Sequence, residues 1–516
     1  MKQRTISTAI GLIFITCSLA SYASDDINNQ TDLHQLSTQL KSGKSSAASI
    51  LKTYQDRVTK LNPQVNAVIA TRTQAVSDAL QMDKTKQYAF PLSGLPIMVK
   101  DNIAVAGMVT TAGSLALKDN LAQSDAFIVQ RLRKAGAVIA GKTNLSEWAN
   151  FRSTKSTSGW SSAGGQTHNP YDLNKSPCGS SSGSGAAVAA RMIPAAIGTE
   201  TDGSVTCPAA INGLVGLKPT LGLVSRSGII PLSHSQDTAG PMTLSVRDAA
   251  LIMNVISGSD PSDSATKDAD KMRSKDYLAG LNTQALKGKR LGVVTDLVKI
   301  YDKETQALFA RSLAILKAQG AIIVDKVEIP HLQEIDKDEL QVLLYDFKAD
   351  LNQYLATTPA AVKTRTMADV IAFNTKNAKE VMPHFGQEIM QRAQGYGPLT
   401  DKVYVETRDR VKKNAGVNGI DAAMKKHQLD ALIAPTTSAA WPIAYKKGDD
   451  YIGSATSPAA ISGYPHLTVP MGLVKGLPIG ISFFAGAWSD ASLLNMGYAF
   501  EQARPVLPAP AIASTK

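Results

Sequence analysis

Apolar positions along the chain follow two periods. Over residues 46–61, Ile50, Leu51, Tyr54, Val58 and Leu61 fall on one helical face, and the alanine-rich stretch 65–82 extends that period into a second predicted helix. Short continuous apolar runs at 95–99, 137–140, 290–294, 321–324, 429–433, 467–469 and 479–483 predict buried strands instead. Residues 125–134 predict a helix that Gly136 stops before strand 137–140, and 304–318, Gly320 and 321–324 repeat that order without repeating the sequence. Helices alternating with short apolar strands predict an α/β fold. Two stretches break the pattern: 267–289 is polar and irregular, and 336–419 is charged and helical with little strand signal, as expected of a helix-rich insert capping the core. No repeat, low-complexity tract or clean linker divides the chain, so residues 24–516 are expected to be a single domain.

The N-terminus has its own pattern. Lys2 and Arg4 precede an apolar run over 10–20 and then Ser21-Tyr22-Ala23, a small-x-small site, so residues 1–23 are read as a secretory signal peptide. The run is too short to span a bilayer, which takes ~20 residues, and Phe14-Ile15-Thr16 before Cys17 does not resemble a lipid-attachment site, so no membrane anchor is expected. The expected location is periplasmic or secreted. At 516 residues and 44% hydrophobic, the chain has ample material for a large core. Its formal charge of +11 is spread without basic runs or basic-aromatic interleaving, which argues against nucleic-acid binding. Beyond residue 23 only Cys178 and Cys207 remain; two cysteines in so long a chain are not a disulfide framework, so they are read as buried free thiols, although an oxidising compartment would allow them to pair. The seven histidines fall in no metal-ligand spacing, and neither a metal nor another cofactor is expected.

Chemistry concentrates in residues 177–219. A Ser/Gly loop, a helix of small residues and a second Gly/Ser turn follow one another there, so the loop is expected to end at the N-terminus of the helix over 186–190, where consecutive N–H groups favour an anion. Two letter matches fail by context. GAVIAGKT at 136–143 fits a phosphate loop, but its middle residues are the strand itself; GSSSG at 179–183 fits a nucleophile elbow around Ser181, but no strand precedes it. Upstream, strand 95–99 delivers Lys100 at its end. A lysine there is ordinarily a surface residue with its stem along the apolar face. Buried, it would lose its charge and accept a proton from a serine.

The segments PIMVKDNI at 96–103, AGAVIAGKTNLSEWA at 135–149, GSSSGSGAAVAA at 179–190, GTETDGSVTCPAAINGLVGLKPT at 198–220, DALIAPTT at 430–437 and GYPHLTVPMG at 463–472 resemble, in order, the amidase signature family from about residue 33 to 503. EWANFR at 147–152, SPCGSSSGS at 176–184 and SQDTAGPM at 235–242 resemble its secreted peptide amidases, which remove the C-terminal amide of peptides. The resemblance implies a mixed central β-sheet covered by helices on both faces. It also implies a nucleophile at Ser204, a bridging serine in a cis peptide bond at Ser180 and a general base at Lys100. Backbone N–H groups of Thr201, Asp202, Gly203 and Ser204 would form the oxyanion hole, with Ser181 supporting the loop.

Three residues depart from the common family pattern: Glu200 stands for aspartate, Asp202 for glycine and Thr206 for arginine. A carboxylate at 202 would oppose a developing oxyanion, so Asp202 is expected to turn away from it, toward a donor group of the substrate or as a brace for the loop. The function implied is a serine amidohydrolase for peptide amides, working through an acyl-enzyme. Small aliphatic or aryl amides are the alternative substrates, and a peptide-binding protein on an inactive scaffold is the alternative of another class. An amidotransferase subunit shares the motifs, but a signal peptide would remove the chain from tRNA. A monomer or weak homodimer is expected.

Overall fold

The computed structural model describes residues 31–512 except Gln87, so the segment read as a signal peptide lies outside the described residues. The described residues form thirteen strands: β1 (Val68–Thr71), β2 (Pro96–Lys100), β3 (Val138–Thr143), β4 (Trp160–Ser161), β5 (Gly165–Gln166), β6 (Ala195–Glu200), β7 (Val215–Lys218), β8 (Thr238–Thr243), β9 (Arg290–Val294), β10 (Ile322–Val327), β11 (Ala431–Pro435), β12 (His466–Val474) and β13 (Leu477–Phe484). Eleven form one sheet in the order β1-β3-β2-β6-β8-β7-β12-β13-β11-β9-β10, while β4 and β5 make a separate pair. The sheet is mixed: β3, β2 and β6 are parallel neighbours, as are β11, β9 and β10, and the pairs between those groups are antiparallel. Helices cover both faces, and the α/β expectation holds.

The middle of the sheet differs from its flanks in composition. Strands β6 and β8 read AAIGTE and TAGPMT, mostly small residues, and are buried throughout. They leave room for the helix Ser182–Ala189 (SGSGAAVA), every residue of which is buried as it packs on β6, β2, β3 and β8. Gly183 shows how close the approach is: a Cβ there would stand 2.3 Å from the Ala67 carbonyl oxygen and 2.5 Å from the Asn144 nitrogen.

The helix expected over 65–82 is not one element. The preceding helix, Ala47–Val65, ends at Asn66, whose φ of 51° is left-handed; the chain then runs as β1 before a new helix, Ala75–Thr85. The Asn62 side chain closes that corner, accepting from Ala67 and Val68 N at 2.8 Å. Alanine content favoured a helix, but antiparallel pairing with β3 prevailed.

Between β10 and β11 the described elements are all helical, from Ile335–Ala356 to Ala422–His427. Leu344, Phe347 and Leu351 of the long helix join Trp148, Ile230 and Leu232 in one apolar cluster, which docks this region beside the carboxyl ends of β2 and β6.

Candidate active site

Strands β2 and β6 are parallel neighbours, with Met98 opposite Ala196 and Val99 opposite Ile197, so their carboxyl ends emerge together. Crevices at the carboxyl ends of such strands are where open α/β sheets bind ligands. Lys100 ends β2 and has no exposed surface. It is therefore no surface lysine. Its Nζ donates to Thr199 Oγ1 at 2.8 Å and Thr199 O at 3.2 Å on β6, and lies 2.7 Å from Ser180 Oγ. Burial strips the ammonium of water and lowers its pKa to about 7, against the opposing pull of Asp237 and Glu200.

The Gly179–Ser180 peptide bond is cis, as the resemblance implies. Ser181 then faces inward: its Oγ donates to Thr199 O at 3.0 Å, and its backbone N donates to Ser204 O at 3.1 Å. One loop thus joins the end of β6 to the turn after it.

That turn, Thr201 to Ser204, is held from several sides. Thr201 Oγ1 donates to Asp237 Oδ1 at 2.6 Å, and Gln236 Nε2 donates to Thr201 O at 3.2 Å. Gly203 has φ 74°, a left-handed conformation that a side chain would strain, and a Cβ would stand 3.1 Å from Thr456 Oγ1. Glu200 Oε2 accepts from Val205 N at 2.8 Å, Thr206 N at 2.9 Å and Thr206 Oγ1 at 3.1 Å, capping the helix that follows. Two of the departures from the family pattern, Glu200 and Thr206, therefore bond to each other. Asp202, the third, accepts from Ser457 Oγ at 2.7 Å.

Cys178 and Cys207 are joined in a disulfide. The expectation of free thiols was wrong because 29 positions of sequence separation conceal a Cα–Cα distance of 6.1 Å. One cysteine precedes the cis bond and the other sits in the helix Thr206–Ile211, so the bridge ties the two turns together.

A cavity of about 690 Å³ opens on Ser204 and Gly203 and is also lined by the disulfide, Asp202, Trp441 and Tyr451. A second, of about 340 Å³, lies on the other side of the turn, against Thr201, Asn102, Trp148 and Phe347. The EWANFR segment, with Trp148 and Ala149 at left-handed φ of 51° and 55°, forms part of the wall of both. Its Glu147 and Arg152 make a fully buried ion pair at 2.9 Å. Among the described residues, no group of three or more His, Cys, Asp or Glu is arranged to hold a metal ion.

A buried lysine bonded to a serine in a cis peptide, next to a glycine-bearing turn that ends in Ser204, coincides with a match to the amidase family model over residues 49–494. The chain belongs to the amidase family. Among solved amidases, it is similar to the peptide amidase PAM in complex with the competitive inhibitor chymostatin, at 47% identity and TM-score 0.89, covering 93% of this chain and 99% of that one. The native peptide amidase from Stenotrophomonas maltophilia matches at 46% identity and TM-score 0.87, over 93% and 98% of the two chains. A probable amidase of Arabidopsis thaliana is 38% identical over 467 residues, 88% of this chain and 86% of that protein.

The fold brings together Lys100, Ser180, Ser181 and Thr201–Ser204, the candidate site residues of the sequence. Sequence reasoning missed Asn102 and Thr199, which share a 3.0 Å hydrogen bond behind Lys100. It also assigned no role to Gln236 and Asp237, although SQDTAGPM was singled out.

Proposed function

We propose that this amidase is a serine hydrolase that removes the C-terminal amide of peptides, giving the free acid and ammonia. Neutral Lys100 accepts the proton of Ser180, Ser180 accepts that of Ser204, and Ser204 Oγ attacks the amide carbonyl. Backbone N–H groups of Thr201, Asp202, Gly203 and Ser204 stabilise the oxyanion. Ammonia departs with a proton returned along the relay, and water hydrolyses the acyl-enzyme. The observation that carries the reading is the contact between the unexposed Lys100 and Ser180, with the lysine poised near neutrality.

Peptide specificity is supported by the likeness to PAM, and the cavity beside Ser204 is within the ~300–1,000 Å³ of ordinary ligand pockets. Secretion belongs to the same reading: a disulfide beside the site suits an oxidising compartment, as does the segment read as a signal peptide.

The experiment compares a C-terminally amidated dipeptide with benzamide in wild type and Ser204→Ala. The dipeptide amide should be the better substrate, and Ser204→Ala should lower its turnover roughly 10⁴- to 10⁶-fold with the fold intact. A clear preference for benzamide would replace the substrate class, and a Ser204→Ala enzyme with a few per cent of activity would remove Ser204 from the mechanism.

A further inference from the structure

Glu339 lies on the helix Ile335–Ala356, far in sequence from the turn that carries Ser204, yet it reaches that turn twice. Its Oε1 accepts at 2.8 Å from Gln236 Nε2, which also donates to Thr201 O at 3.2 Å. Its carboxyl is also in hydrogen-bonding reach of that of Asp202, which accepts at 2.7 Å from Ser457 Oγ as well. Two carboxyls can bond to each other only when a proton lies between them.

Burial supplies that condition. It holds the Glu339 carboxyl well above the ordinary carboxylate range, and the charge of Asp202 raises it further, with that of Asp336 adding to the effect. Asp202 is itself raised by burial, opposed by hydrogen bonds from Thr456, Ser457 and Glu339 and by Lys218. Glu200 and Tyr451 also feel the Asp202 charge. The proton accordingly resides on Glu339, and Asp202 carries the negative charge.

That charge sits on a residue whose backbone belongs to the oxyanion turn, where a loose carboxylate would oppose the negative charge that develops during attack. We propose that Glu339 is a positioning residue for the amidase reaction: as a carboxylic acid it donates a hydrogen bond to Asp202, draws that carboxylate away from the oxyanion, and ties the turn to the helical segment. The proposal rests on the reading of Ser204 as nucleophile.

The test measures kcat and KM against pH for wild type, Glu339→Gln and Glu339→Ala, using whichever of the dipeptide amide and benzamide the wild type turns over faster, with Ser204→Ala alongside. A glutamine at 339 still accepts from Gln236 and donates to Asp202 permanently, so Glu339→Gln should keep kcat within a few-fold of wild type. Glu339→Ala should lower kcat roughly 100-fold with little change in KM, the scale expected when a reacting geometry is loosened. Wild-type kcat should fall on the alkaline side as the shared proton leaves, and Glu339→Gln should lack that fall.

Circular dichroism checks folding; if Glu339→Ala does not fold, the isosteric Glu339→Gln decides by its pH profile alone. An alanine variant with wild-type kcat, a folded glutamine variant as impaired as alanine, or a glutamine variant with the wild-type alkaline fall each overturns the proposal. Those outcomes with an inactive Ser204→Ala leave the relay standing, whereas an active Ser204→Ala removes the relay itself.

Discussion

Lys100 loses the hydration that keeps a free lysine charged, and what it gains in return, two contacts with Thr199 and one with Ser180, are contacts that a neutral amine also satisfies. Below a pKa of about 7 the amine is protonated and cannot accept from Ser180; above it the relay is open, so the rate should rise with pH through neutrality. Lys100→Ala should cost several orders of magnitude. Lys100→Arg should recover almost none of that loss, because a guanidinium stays charged throughout this range. Rate-pH profiles of the three proteins test this, and an active Lys100→Arg enzyme would remove the lysine from the relay. The three residues of the proposed relay were legible because they sit in motifs whose letters are distinctive. Asn102 and Thr199 were not, because a hydrogen bond spanning 97 positions is set by which strands become neighbours, and nothing local in DNI or GTE announces it. Glu339 was hidden for the same reason, inside a segment read only as a helical cap.

At the level of elements, apolar runs revealed the strands rich in valine, isoleucine and leucine, such as β2, β9 and β11, and passed over β6, β7 and β8. Of these, β6 leads into the turn that ends in Ser204, beside the Lys100 end of β2. The alanines and glycines of β6 and β8 and the proline of β8 have weak strand preference, and these segments are strands because their neighbours are and because the helix Ser182–Ala189 needs the space. The disulfide is the corresponding feature among the turns. Closing a loop of about 30 residues should contribute about 3 to 4 kcal/mol in the chain-entropy model. Cys178→Ser together with Cys207→Ser should therefore lower the thermal midpoint by a few degrees and reduce activity, since the bridge joins the cis turn to the helix after Ser204. An unchanged midpoint and rate in the double variant would show that the turns hold without it.

For the molecule as a whole, alternating helices and strands were enough to reach α/β, and the mixed sheet followed from the family resemblance, but strand order was beyond reach. The hairpin β12–β13, residues 466–484, is inserted between β7 and β11, so strands late in the chain complete the interior of the sheet rather than an edge. A chain that stops before His466 leaves β7 and β11 as two unpaired edges facing a gap. Such a truncation should be insoluble and unreactive toward a fluorophosphonate serine probe, and a soluble, labelled fragment would refute that order of assembly. During synthesis, Ser180 and Ser204 emerge long before the hairpin that completes the sheet behind them. The nascent chain therefore carries its proposed nucleophile through about half of its translation without a hydrolytic site, and competence arrives late, with the closure of long-range strand pairs.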